Sequence, residues 1–283
     1  MQNVYPPDRV LVSTNLPLTF EVSPTEQYVD IYTPEERSAI ISKYRTPNLF
    51  NGDCVRLDSL QNNHACISAC CFYDFLCCNI VGIHNRDPLA YSKLSQYLAK
   101  YGRLNTFDKV IGIRELSNIL GVSTLLSDIN GDYLLVERNT KVSVGSGLFA
   151  CTSSGSLDLT DINYENPIIG CGIRELKEEL NITASLAIQG MIIPIQKMQP
   201  IALLTGSIPQ TWRGILPYMK SGMDYQKENN RLLIVPRDKL LSIISLYAFT
   251  DAAAFHIFFE AGGTKAAWKE VENTAIRIQD YYV

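Results

Sequence analysis

Arg174-Glu175-Leu176-Lys177-Glu178-Glu179-Leu180-Asn181-Ile182 is the stretch on which the reading of this chain turns. It closes a helix whose ends are marked: Asn166 is a capping residue, Pro167 suits the first turn, and Asn181 tolerates the left-handed position that follows a helix. Ile169, Ile173, Leu176 and Leu180 recur at helical spacing and predict one buried stripe, while Glu175, Glu178 and Glu179, at i, i+3 and i+4, share another face. Like charges so placed destabilise an exposed helix by roughly 0.2–0.5 kcal/mol per pair unless something offsets them. A hard divalent cation is one offset, since magnesium binds through one or two carboxylates together with substrate phosphates. A solvated face, with the glutamates paired to Arg174, Lys177 or water, is the other.

Upstream, Val122–Leu126 and Tyr133–Arg138 read as strands flanking the turn Asp128-Ile129-Asn130-Gly131-Asp132, a hairpin. Two Gly- and Ser-rich loops follow, Val144–Leu148 and Thr152–Leu157, where backbone can turn sharply or approach a ligand; Gly155 and Ser156 are the candidate substrate contacts. Downstream, Met191–Ile195, Pro200–Gly206 and Arg231–Pro236 are expected strands, and Asp238–Phe249 and Thr250–Ile278 expected helices, broken at Gly262-Gly263. The N-terminal part has its own pattern. Pro17–Val22 and Leu49–Leu57 read as strands, the Cys-rich run continues as another, Thr33-Pro34-Glu35-Glu36 starts a helix reaching Tyr44, and Pro88–Tyr101 is helical. The expected division is an α/β accessory domain over residues 1–112 and the main domain over 113–283.

The run at 174–182 resembles the Nudix box, G-x5-E-x7-R-E-U-x-E-E-x-G-U with U aliphatic; its last nine positions are all met except that Asn181 stands for Gly. The strand, turn, strand, glycine loop and helix also come in that superfamily's order. The upstream half of the box departs: Asn166 falls where Glu is expected, with Glu165 beside it, and Thr160 falls where Gly is expected, unless Gly155 serves with Leu157–Tyr164 inserted. The resemblance implies an α+β fold, an α/β/α sandwich around a mixed sheet, with a smaller β-containing unit before it. It also implies a hydrolase that uses Mg2+, or Mn2+, to split a diphosphate linkage. Glu178 and Glu179 would be metal ligands, Glu175 a ligand or proton acceptor, and Arg174 the anchor of the carboxylates. Glu228 is the candidate further ligand from outside the helix, ahead of Asp224. The patches Leu49–Gly52, Val55–Leu57, Cys71–Leu76 with Asn79, and Leu120–Val122 are similar to the segment before the Nudix domain in animal UDP-glucose and UDP-galactose diphosphatases. That implies a UDP-sugar substrate giving UMP and a sugar 1-phosphate, with Tyr73, Asp74 or Phe50 holding the nucleotide or the fold. ADP-ribose, dinucleoside polyphosphates, coenzyme A derivatives and a non-catalytic nucleotide-binding module stay open.

Composition agrees with a folded globular protein. The 283 residues are 46% hydrophobic and 19% charged with net charge -4, and no Lys/Arg run offers a track for polymeric nucleic acid. The start Met1–Arg9 lacks the features of a secretory signal and no apolar run reaches a membrane span, so a cytoplasmic protein is expected. The eight cysteines read as small buried hydrophobes, because no CxxC pair is present and adjacent cysteines on a strand face opposite ways. His64, His84 and His256 lie far apart and receive no role. Trp212 follows a strand and is either a base-stacking residue or a cap on the core. The C-terminal helices offer packing or a homodimer surface.

Overall fold

The computed structural model describes residues 5–25, 27–45, 51–140, 145–222, 224 and 229–271. The expectations placed on Phe50, Val144, Glu228 and the helix beyond Val271 lie outside these residues. In chain order come β1 (Val10–Val12), β2 (Thr19–Val22), α1 (Pro34–Tyr44), β3 (Asp53–Gln61), β4 (His64–Cys71), α2 (Phe72–Phe75), α3 (Pro88–Leu98) and α4 (Phe107–Ile111). Next are β5 (Gly121–Ser127), β6 (Tyr133–Arg138), β7 (Phe149–Ala150), β8 (Ser153–Ser156), α5 (Pro167–Leu180), β9 (Ser185–Pro194), β10 (Ile201–Ser207) and α6 (Trp212–Met219). Last come β11 (Asn229–Val235), α7 (Leu240–Leu246), α8 (Asp251–Glu260) and α9 (Lys265–Val271).

The large sheet runs β1-β9-β10-β5-β6-β11, with β8 paired to β5 and β7 to β6. It is mixed, because β10 and β5 are parallel while β9, β8, β7 and β11 pair antiparallel. Neighbouring leucines of β10 face opposite ways. Leu204 meets α5, which comes close at Gly172, and Leu203 joins Ile192, Ala252 and Phe255 beneath α8. Helices therefore cover both faces of a mixed sheet, as expected. β2, β4 and β3 form a second, three-stranded sheet whose hairpin turns at Asn62-Asn63, both at positive φ. Val55, Leu57 and Ile67 of this sheet share one apolar cluster with Ile168, Cys171 and Ala202. Backbone bonds stitch the two sheets together, Val55 N–H donating to Leu157 O at 3.0 Å and Leu120 N–H to Val55 O at 2.9 Å. Arg56 is buried and donates to the carbonyls of Ile113 and Leu116, so the cation in that motif holds the fold.

Four local expectations are corrected. The Cys-rich run leaves the strand at Cys71, where Asp74 reaches back to accept the Cys71 N–H at 2.8 Å and pairs with Arg37; a short α-turn and the π-helix Leu76–His84 follow. Asp74 thus holds the fold. The hairpin β5–β6 is paired only at Ser127 and Tyr133, then splays to admit β7 and β8. Thr152 sits in the fork, its Oγ1 accepting Leu126 N–H at 2.9 Å and donating to Leu134 O at 2.8 Å. The expected loop Thr152–Leu157 is accordingly mostly strand. On α5 the fully buried positions include Ile168 and Cys171, which join the apolar cluster running on into the N-terminal unit, while Ile169 and Ile173 are half-buried.

Among the described residues no helix is long and apolar enough to cross a membrane. Because Thr152 satisfies a donor and an acceptor at once, Thr152→Val should lower stability by about 1–3 kcal/mol at nearly constant volume. Urea denaturation measures this; an unchanged midpoint would show that the fork needs no bridge.

Candidate active site

Helix α5 is fixed at both ends as its sequence implies. Asn166 Oδ1 accepts the N–H groups of Ile168 and Ile169 at 3.1 and 3.2 Å, and Asn181 lies at φ 53, ψ 33. Over its last two turns it carries Arg174, Glu175, Glu178 and Glu179 across the end of β8.

Arg174 is the hub. Its Nε and Nη2 donate to the two oxygens of Asp161 at 3.1 and 2.9 Å, and Nη2 also donates to Ser156 O at 3.0 Å. Nη1 donates to Glu175 Oε1 at 2.8 Å and Glu178 Oε2 at 3.1 Å. Asp161 is fully buried, so its carboxylate requires this forked partner. The upstream carboxylate that meets Arg174 is Asp161. Glu165 is exposed, and Asn166 is occupied as the helix cap. The missed signal was the turn Asp158-Leu159-Thr160-Asp161, in which Asp158 Oδ1 accepts the Thr160 and Asp161 amides and presents Asp161 towards the helix.

Each glutamate has a separate setting. Glu175 lies over Gly155: a Cβ there would stand 2.0 Å from the carboxyl carbon, so only glycine lets the side chain rest on β8. Burial pushes the Glu175 carboxyl up to about 7, Arg174 opposing this and the charge of Glu178 reinforcing it. Glu179 is 3% exposed and its Oε1 accepts Ser154 N–H at 3.3 Å. Glu178 is the most open, with its side chain 32% exposed. The three are brought to one end of β8, yet they are not drawn into a closed cage. Among the described residues, the set of three ligand groups within 4.8 Å of one another lies elsewhere, on the small sheet.

The remaining expected residues divide. Ser156 contributes its carbonyl to Arg174, and Gly155 gives room to Glu175, so both act on the acidic helix. Trp212 is corrected as a stacking residue: it has no exposed surface, and its Nε1 donates to Asp132 O at 2.7 Å, which makes it a cap on the core. Asp224 docks its backbone on the helix, N–H to Glu178 O at 3.0 Å. Glu228 lies outside the described residues. A hollow of about 540 Å³ past the end of α5, bounded by Asn181, Thr183, Gln210 and Tyr218, is lined by none of these carboxylates.

Two cations were not singled out from the sequence. Arg138, at the end of β6, donates to Ser154 Oγ at 2.8 Å. Lys197, on the turn between β9 and β10, lies over the Phe75 ring at 5.0 Å. Burial, and then the charge of Arg138, push its ammonium down to about 7. Asn79, fully buried on the π-helix, sets this turn by donating to the Lys197 and Met198 carbonyls at 3.1 and 2.9 Å. Met198 is held at φ 54 beside it.

No family model matches the chain, and no curated protein does. Solved structures similar to it include a MutT protein from Methanosarcina mazei, at 16% identity over 50% of this chain and 91% of that one, TM-score 0.37. A MutT/Nudix family protein from Listeria innocua is 18% identical over 56% and 98%, TM-score 0.36. The Nudix domain of Shewanella oneidensis NrtR, solved with ADP ribose, is 14% identical over 59% and 96%, TM-score 0.36. Likenesses this distant carry no weight for chemistry.

The setting of Glu175 has a pH signature. Unfolded, it ionises in the ordinary carboxylate range; folded, it keeps its proton to about 7, so the folded state binds the extra proton in between and loses stability as pH rises through that window. Metal-free protein should lose roughly 1–3 kcal/mol between about pH 5 and about pH 8, and Glu175→Gln should abolish that slope. Equal slopes in urea titrations of the two proteins would refute this setting.

Proposed function

We propose that the chain is a divalent-cation-dependent hydrolase of a diphosphate linkage in a nucleoside diphosphate derivative. The observation that carries the reading is the Nudix-like run at 174–182 standing on a capped helix, its acidic groups gathered around one guanidinium. Asp158, Asp161, Glu175 and Glu178 gather around Arg174, and the Glu175 carboxyl is raised by its burial, the charge of Glu178 adding to the effect. An all-oxygen donor set of this kind fits magnesium, which keeps several waters and needs no closed protein cage.

Glu178 and Glu179 are the residues that would hold the cation. When bound, it supplies Lewis-acid charge to the phosphate oxygens and lowers the pKa of water. Arg174 keeps Glu175 turned towards β8, and Glu175 takes the proton of the attacking water as its oxygen bonds to phosphorus. The bridging P–O bond then breaks, and two phosphate monoesters leave. Arg138 supplies positive charge near β8 for the rest of the anionic substrate.

Within this class we favour a UDP-sugar, giving UMP and a sugar 1-phosphate, on the motif patches of the N-terminal unit. A nucleotide-binding module without turnover is the second reading. It is favoured by one observation, that Glu175 and Glu178 both engage Arg174 and the three glutamates form no compact triad.

Purified protein given Mg2+ and UDP-glucose, UDP-galactose, ADP-ribose, dinucleoside polyphosphates or coenzyme A separates these readings by product chromatography. UMP and hexose 1-phosphate are the expected products, and Glu175→Gln, Glu178→Gln and Glu179→Gln should each lower kcat by about 100-fold or more. No turnover of any member, with thermal stabilisation by one of them, would establish the binding module.

A further inference from the structure

β2 and β4 run parallel, with Thr19 opposite His64 and Glu21 opposite Cys66. Strand alternation turns His64 and Cys66 to the solvent face, while Ala65 and Ile67 are fully buried on the other. His64 Nε2 lies 3.4 Å from Glu21 Oε2, and Cys66 Sγ lies 3.9 Å from the same oxygen. The other ring nitrogen, Nδ1, lies 2.9 Å from Thr19 Oγ1.

We propose that Glu21, His64 and Cys66 form a zinc site on the outer face of the small sheet, with its fourth position open to water or an added ligand. Zinc bonds of about 2.0–2.1 Å to nitrogen, about 2.3 Å to sulfur and about 2.0–2.2 Å to oxygen give a tetrahedron with edges of about 3.3–3.6 Å. The observed nitrogen-to-oxygen edge of 3.4 Å falls inside that range and the sulfur-to-oxygen edge of 3.9 Å lies a little outside it. Small side-chain movements therefore close the site. Thr19 anchors Nδ1 and leaves Nε2 for the ion, the outer-shell support that metal-binding histidines commonly have. A thiolate, a carboxylate and a neutral imidazole together balance the two charges of zinc, whereas a nitrogen- and sulfur-containing set is a poor match for magnesium. The site is thus chemically separate from the acidic helix. It would also clip β2, a four-residue strand with β4 as its partner, onto the sheet.

The competing account is a surface His–Glu pair with a bystander thiol, and cobalt distinguishes the two. Metal-free protein titrated with Co2+ in excess Mg2+ should develop a thiolate-to-cobalt charge-transfer band and the intense visible absorption of tetrahedral cobalt, both saturating at one equivalent and displaced by Zn2+. Cys66→Ser should remove the charge-transfer band. His64→Ala and Glu21→Gln should weaken zinc binding by about 100-fold or more, Thr19→Ala by about 10-fold, and Glu178→Gln should leave it intact. Because the side chains face solvent, circular dichroism should show each variant folded. A band that survives in Cys66→Ser, zinc binding that Glu178→Gln abolishes, or no cobalt bound would overturn the proposal.

Discussion

The ion pair between Arg174 and buried Asp161 is the constraint on which the acidic end of the helix depends. An isolated carboxylate without exposure would be too costly to keep charged, so Asp161 dictates that a guanidinium reach it. Once Arg174 is committed in that direction, its remaining donors fall on Ser156 O, Glu175 and Glu178, which ties helix α5, strand β8 and the turn at 158–161 into one unit. The sheet prepares the place. β5 and β6 part at Ser127, β8 enters the gap, and Gly155 leaves the thin spot on which Glu175 rests.

One guanidinium cannot satisfy so many carboxylates, and the imbalance is distributed rather than removed. Asp161 takes the strongest geometry, Glu179 takes a backbone amide, Glu178 stays partly in water, and Glu175, buried beside the charge of Glu178, has its pKa raised. Perturbation of this kind is common where a group must work, although structural ion-pair networks also produce it.

Much of this was legible in the sequence because it is local. Asn166-Pro167 and Asn181 bound α5 through short-range hydrogen bonding, and the turn at 128–132 fixes where β5 and β6 meet. What could not be read depends on segments distant along the chain. The choice of Asp161 over Glu165 follows from a turn folding back on the helix, and the fate of the Cys-rich run follows from Asp74 meeting Arg37 of α1. Trp212 looked available because it comes soon after a strand, but its indole finds the Asp132 carbonyl in the turn between β5 and β6. Ile168 and Cys171 join the apolar cluster that also holds Val55, Leu57 and Ile67 of the N-terminal unit, a continuity that helical periodicity does not encode.

The edge strand β1 has a consequence for how the chain is made. Val10–Val12 pair with Ile192–Pro194 of β9, and Arg9 bonds to Asp251, 242 residues away. During synthesis at about 5–20 residues per second, that first strand would leave the ribosome on the order of ten seconds or more before its partner exists. Until then β1 is an unpaired apolar ribbon, so the growing chain must keep it from neighbouring nascent chains, and this border of the large sheet is finished only after β9 has been made.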